Sequence, residues 1–280
     1  MKIIILLIGV LLLTAGQVCA EFEWYLTANR GADSVAITSL PYTISTGGTS
    51  GTKTLKVYYL TGNLNAAAGG ISVSGERDWW EVNGQNYTIT FDKDSAGGCD
   101  GIALSNNCDH FIIRNLTVTQ YQTANAVESG SKGGSDVYAI NMGVTLDWGA
   151  LLNVSAHVYG HSSKNVNASE SGPTVYGMEI KGGDYTSYSN SFDSRHSLDG
   201  AAVTLRQYRD DTPWDTANWW VHGITIQDAP HAGLLVGGVA WVDSNSVTID
   251  GRNESGASWA NCHAIADLGT CYEGSRFRYN

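Results

Sequence analysis

Six short segments share one pattern, a small or turn residue followed by alternating apolar positions. They are Asp100-Gly101-Ile102-Ala103-Leu104, Tyr138-Ala139-Ile140-Asn141-Met142, Tyr176-Gly177-Met178-Glu179-Ile180, Ala201-Ala202-Val203-Thr204-Leu205, Ala232-Gly233-Leu234-Leu235-Val236 and His263-Ala264-Ile265-Ala266-Asp267-Leu268. Their anchors Ile102, Ile140, Met178, Val203, Leu234 and Ile265 are separated by 38, 38, 25, 31 and 31 residues. Recurrence at this scale, with insertions of variable length, marks stacked repeats joined by loops. A second period-two run follows each of the first five anchors: 113–118, 151–156, 188–192, 221–226 and 246–249. Leu116, Val154 and Phe192 each lie 14 residues after their anchors. Alternation of this kind is a strand signal. Two or more strands per repeat, separated by turn residues, exclude a compact helical repeat and predict an all-β parallel solenoid.

Stacking the second strands by that offset turns spacing into columns, because neighbouring strands lie about 4.8 Å apart and alternate residues face opposite sides. The inward positions read Leu116/Val118, Val154/Ala156, Phe192/Ser194, Ile224/Ile226 and Val247/Ile249. One outward column reads Thr117, Ser155, Asp193, Thr225 and Thr248, and the next Thr119, His157, Arg195, Gln227 and Asp250. This arrangement groups His157, Asp193 and Arg195 on one side of adjacent strands. They are the candidate catalytic residues. His157 suits proton transfer near neutral pH, with Asp193 orienting it or binding a metal. Arg195 suits bidentate recognition of a carboxylate, or the base of a β-elimination. A hydrolase would instead use two carboxylates, with Asp193 and either Asp210 or Asp211 as the pair. The plain alternative is a solvated strand face with an incidental ion pair.

The N-terminus breaks the pattern. Lys2, an apolar run from Ile3 to Leu13 interrupted by Gly9, and Val18-Cys19-Ala20 read as a secretory signal peptide over residues 1–20, cleaved before Glu21. Residues 21–280 then form one domain, secreted or at the cell surface. No later apolar run is long enough for a membrane span. Past Ile265 there is no evident amphipathic segment to cover the last strands, so the domain is expected to lack a C-terminal cap.

Composition narrows the partners. The chain carries a net charge of −11 and no Lys/Arg cluster, which argues against nucleic acid. An acidic polymer stays open, because a local arginine or a bound calcium can reverse the field within a groove. With 33 Gly, 14 Tyr and 9 Trp against 4 Pro, the chain is turn-rich and aromatic rather than disordered. Cys99 and Cys262 each precede an anchor by three residues, and Cys108 and Cys271 each follow by six. Two readings follow. An exported chain can pair Cys99 with Cys108 and Cys262 with Cys271, given a turn that brings the Cα atoms within about 7 Å. The other reading is four buried thiols.

The run Phe111-Ile112-Ile113-Arg114-Asn115-Leu116-Thr117-Val118, with Asp100-Gly101-Ile102 before it, resembles the coil signature of the pectate lyase-like superfamily. Leu55–Leu60, Ile71–Val73 and Tyr87–Phe91 resemble the entry rungs of such proteins. The resemblance spans roughly Thr54 to Asp267 and implies a right-handed parallel β-helix acting on an extracellular, acidic polysaccharide. It also implies that Asn115, Asn153 and Asn190 form an internal asparagine ladder. Family active-site motifs match poorly: Gly160-His161-Ser162 precedes Asp210-Asp211, and Trp241-Val242-Asp243-Ser244 resembles a lyase block with its histidine lost. The rival expectation is a noncatalytic, adhesin-type scaffold.

The segment from Arg206 to Trp220 reads as a functional loop. Its Trp214, Trp219 and Trp220 suit stacking on sugar rings, and its Arg209, Asp210 and Asp211 suit hydroxyls, carboxylates or calcium. Calcium is the candidate cofactor. Asp92 and Asp94 before Gly97-Gly98 suggest a calcium loop but lack EF-hand spacing. Trp79-Trp80 reads as packing. Glycosylation sequons occur at Asn86, Asn115, Asn153, Asn167 and Asn253. Two of them coincide with the ladder, where a glycan would break the fold, so the sequons read as coincidental, with Asn167 and Asn253, in loops, as the exceptions.

Overall fold

The computed structural model describes residues 24–66, 69–91, 100–104, 108–120, 137–142, 146–159, 175–181, 185–188, 191–195, 201–206, 218–229, 232–236, 239–243, 246–249, 263–267 and 276–277. Among these the chain is almost wholly β. The exceptions are the short helix Trp24–Thr27 and a 3-10 turn at Ser50–Thr52. Among the described residues no helix is long and apolar enough to cross a membrane.

Three rows of parallel strands carry the architecture. The Ile102 row is an eight-stranded sheet of Tyr42–Ile44, Ile71–Val73, Ile102–Leu104, Val137–Met142, Val175–Lys181, Ala201–Arg206, Ala232–Val236 and His263–Asp267, neighbours in chain order. Its register aligns Ile71, Ile102, Ile140, Met178, Val203, Leu234 and Ile265 in one line. The six anchors of the sequence pattern are therefore direct partners.

The other two rows belong to one fourteen-stranded sheet. The Trp80 row runs through Asn29–Ile37, Thr54–Leu60, Trp80–Asn83, the first halves of Cys108–Gln120 and Leu146–Tyr159, then Tyr185–Tyr188, Asn218–His222, Val239–Asp243 and Arg276–Phe277. The Val118 row comprises Leu64–Ala66, Thr88–Phe91, the second halves of the two long strands, Ser191–Arg195, Thr225–Ala229 and Ser246–Ile249. The long strands turn from one row into the other at Asn115 and Asn153, whose φ values are 51° and 53°. Asparagine tolerates this left-handed conformation better than other side chains, since its short amide bonds locally. Gly223, with φ 62°, makes the same turn between Asn218–His222 and Thr225–Ala229.

Apolar alternation drives the packing. Ile89, Val118, Ala156 and Ile226 of the Val118 row are fully buried with Ile102, Ile140 and Leu234 of the Ile102 row and with Trp80, Phe111, Ile113 and Leu151 of the Trp80 row. Trp80 stacks on Phe111 at 5.2 Å. The next residue in that line is Gly149, where a Cβ would collide with the Phe111 ring. A second cluster lies outside the Trp80 row. There Tyr25 and Ala28 pack on Leu55, Trp79, Ile112 and Ala150, flanked by Trp24 and Leu152. The N-terminal segment thus lies across the outer surface of that row.

Candidate functional site

Parallel strands place in-register residues side by side on the same face. On the Val118 row this gives two outward columns. The first is Thr88–Thr117–Ser155–Ser191–Thr225–Ser246, a hydroxyl on six successive strands. The second is Thr90–Thr119–His157–Asp193–Gln227. Between them run Val118, Ala156 and Ile226, all fully buried, whereas Thr117, Thr119, Ser155, His157 and Thr225 are half-buried.

This register corrects the columns expected from sequence. Phe192 partners Ala156, not Val154, so the strand Ser191–Arg195 sits two residues away from its expected alignment. Asp193 therefore stands directly opposite His157, and Arg195 opposite Tyr159. Of the three candidate catalytic residues, the fold makes His157 and Asp193 adjacent and moves Arg195 two positions along the strand. The connection between anchor and strand is two residues shorter in this repeat than in the preceding one, 13 from Met178 to Ser191 against 15 from Ile140 to Ser155. A slip of two keeps every side chain on its face.

Trp219 and Trp220 also move. They lie within the strand Asn218–His222 rather than in a loop, Trp219 level with Tyr185 and Ala240 and Trp220 level with Thr186 and Trp241. Arg209, Asp210, Asp211 and Trp214 lie outside the described residues, as do Asp92, Asp94 and residues 1–20. Among the described residues no group of three His, Cys, Asp or Glu is placed to hold a metal ion.

Two further sets of neighbours were absent from the sequence-based columns. On the Trp80 row, Tyr188, His222 and Asp243 are successive partners beside the Trp220–Trp241 pair. On the Ile102 row Lys181 partners Arg206, two positions after Glu179 and Thr204. The second set was within reach, because each basic residue lies three residues after its anchor.

The corner between the Trp80 and Val118 rows carries an asparagine ladder in which Asn153 Nδ2 donates to Asn115 Oδ1 at 3.0 Å. It is not internal as expected: Asn153 is exposed and Asn115 half-buried. Asn190 lies outside the described residues. The corner preceding the Trp80 row is aromatic. Trp79, His110 and Trp148, with φ of 57°, 55° and 53°, stack in sequence, the first two rings 4.1 Å apart and nearly parallel. Trp24 meets both Trp79 and His110 edge-on. His110 Nδ1 lies 2.7 Å from Asp109 Oδ1 without hydrogen-bond alignment.

Electrostatics separate structural from chemical groups. Glu81 is fully buried and bonded by Arg30 Nε at 2.8 Å and Arg114 Nε at 2.7 Å, so these two arginines are committed to the fold. Burial pushes the Cys108 thiol up to about 11, outweighing a hydrogen bond with Trp80 that lowers it. Cys99, Cys262 and Cys271 lie outside the described residues. Tyr42 is raised by burial and then by the neighbouring Tyr58.

No family model, curated protein or solved structure matches the chain.

Proposed function

We propose that the chain is a secreted right-handed parallel β-helix of the pectate lyase-like kind, and that the outward surface of its Val118 row binds an extended extracellular polysaccharide. The observation that carries this reading is the paired columns, a hydroxyl on six successive strands and Thr90, Thr119, His157, Asp193 and Gln227 on five of them. Side chains repeating at about 4.8 Å advance at nearly the rate of pyranose residues in an extended glycan. A polymer laid across the strands meets one hydroxyl-bearing side chain per sugar, and donors and acceptors of this type fix sugar hydroxyls.

The register narrows the chemistry. His157 beside Asp193 is an acid–base group with a carboxylate to orient it, the pairing that proton transfer needs. Arg195, two positions along the same strand, supports an acidic polymer, because a guanidinium pairs with a uronate carboxylate. The test is a panel of neutral and uronate-containing polysaccharides offered to the purified mature protein, with and without calcium. Binding and new reducing ends are measured together with the ultraviolet absorbance of an unsaturated uronide. Uronide absorbance identifies a lyase, reducing ends alone a hydrolase, and binding without either a noncatalytic glycan-binding scaffold. Absence of binding to every polymer overturns the reading.

A further inference from the structure

Three of the five sequons fall at one corner of the fold: Asn86-Tyr87-Thr88, Asn115-Leu116-Thr117 and Asn153-Val154-Ser155. The coincidence has a structural origin. The corner favours asparagine for its left-handed φ, and the residue two positions later belongs to the outward hydroxyl column. The structure then distinguishes the three side chains. Asn153 has its Nδ2 engaged on Asn115 Oδ1, and Asn115 is half-buried beneath that bond.

Asn86 is different. It is exposed and sits with Gln85 at the centre of a tight turn, where the two residues have φ of 51° and 64° and Tyr87 N–H donates to Gly84 O at 2.8 Å. Two consecutive left-handed residues closed by such a bond form a type I′ turn. The Asn86 backbone N–H is held by Asn115 O at 2.8 Å, but its side-chain amide has no hydrogen bond among the described residues. The turn therefore holds the residue rigidly and leaves its amide in solvent.

We propose that Asn86 is an N-glycosylation site. The proposal rests on export through the signal peptide, which delivers the chain to the compartment where a lipid-pyrophosphate-linked oligosaccharide is the donor. In the transfer, a bond forms between Asn86 Nδ2 and the first sugar's anomeric carbon. The bond from that carbon to the pyrophosphate oxygen breaks, and the amide proton leaves with the lipid pyrophosphate. Thr88 supplies the hydroxyl that the acceptor motif requires.

The experiment expresses the full chain, with its own signal peptide, in a eukaryotic secretory host and maps glycopeptides of protein in the medium and in the cells. The expected result is secreted protein carrying a glycan at Asn86 and none at Asn115 or Asn153. Asn86→Gln and Thr88→Val should each remove that glycan, whereas Thr88→Ser should retain it, which separates loss of the acceptor from loss of folding. Secreted protein bare at Asn86 overturns the site while leaving export intact. Unmodified protein retained in the cells overturns the export reading, and the site with it.

Discussion

The outward surfaces of the Trp80 and Val118 rows share two long strands, Cys108–Gln120 and Leu146–Tyr159, yet they have opposite fates there. Before the asparagine corner the outward residues include Ile112 and Ala150, and the N-terminal segment covers them with Tyr25 and Ala28. After the corner the outward residues are Thr117, Thr119, Ser155 and His157, and they stay half-buried. A strand apolar on both faces demands a second cover, whereas strict alternation leaves one face for water or ligand. The comparison teaches that apolar outward residues draw the N-terminal segment over one row, whereas the hydroxyl-bearing row has no such cover among the described residues.

The strongest way to break the covered surface is to remove Glu81. Glu81→Ala leaves Arg30 and Arg114, both partly exposed, without their shared carboxylate, and each lost hydrogen bond to a charged group is worth about 1.5–3 kcal/mol. Denaturant unfolding should show that loss. Because Arg30 lies at the start of the strand Asn29–Ile37, hydrogen exchange in residues 24–37 should rise most. Unchanged exchange there would separate the ion triad from the docking of the N-terminus.

The boundary between the two surfaces is the next target. Asn153→Ala removes the amide bond to Asn115, a net contribution of about 0.5–1.5 kcal/mol. It also places a less tolerant residue at φ 53°, adding about 1–2 kcal/mol. Asn153→Gly should recover the backbone part but not the hydrogen bond, so thermal unfolding should rank the native chain first, glycine second and alanine last.

Cys108 lies in the core beside the covered row and makes a pH prediction. Burial raises its pKa from 9.0 to about 11, so the folded state keeps a proton that the unfolded state releases. The stability tied to this group is fully present below about pH 9.0 and is lost as pH rises towards 11. Cys108→Ala should flatten this part of the stability–pH curve relative to the native chain. Parallel curves would show that the thiol does not titrate as described.

The uncovered surface should show the smallest change in stability and the largest change in recognition. His157→Ala should shift stability by no more than about 1 kcal/mol, the centre of the range for single substitutions, while weakening polysaccharide binding or abolishing cleavage. A large loss of stability at His157 would mean that this surface is structural too, and would erase the contrast between the rows.

Much of this architecture was legible in one dimension. Ile102, Ile140, Met178, Val203, Leu234 and Ile265 are partners in the order their spacing implied, because each inward apolar residue must stack on the last to be buried. The candidate site was only half legible. His157 and Asp193 were assigned to one outward surface, but the spacing paired His157 with Arg195. Phe192 satisfies the apolar alternation equally well opposite Val154 or Ala156, so hydrophobicity is blind to a shift of two. Only the backbone ladder, closing a connection two residues shorter, decides between them.

Trp219 and Trp220 were misread for a related reason. Local composition shows a loop rich in aromatics and aspartate, and only pairing with Tyr185, Thr186, Ala240 and Trp241 reveals that its end is a strand. What the sequence determined by itself was which residues turn inward, because burial of apolar side chains at period two is a local property of the chain. What the tertiary structure decided was which outward residues become neighbours and which are covered. Those outcomes depend on loop closure and on the N-terminal segment meeting strands as distant as Leu146–Tyr159, contacts that no local pattern encodes.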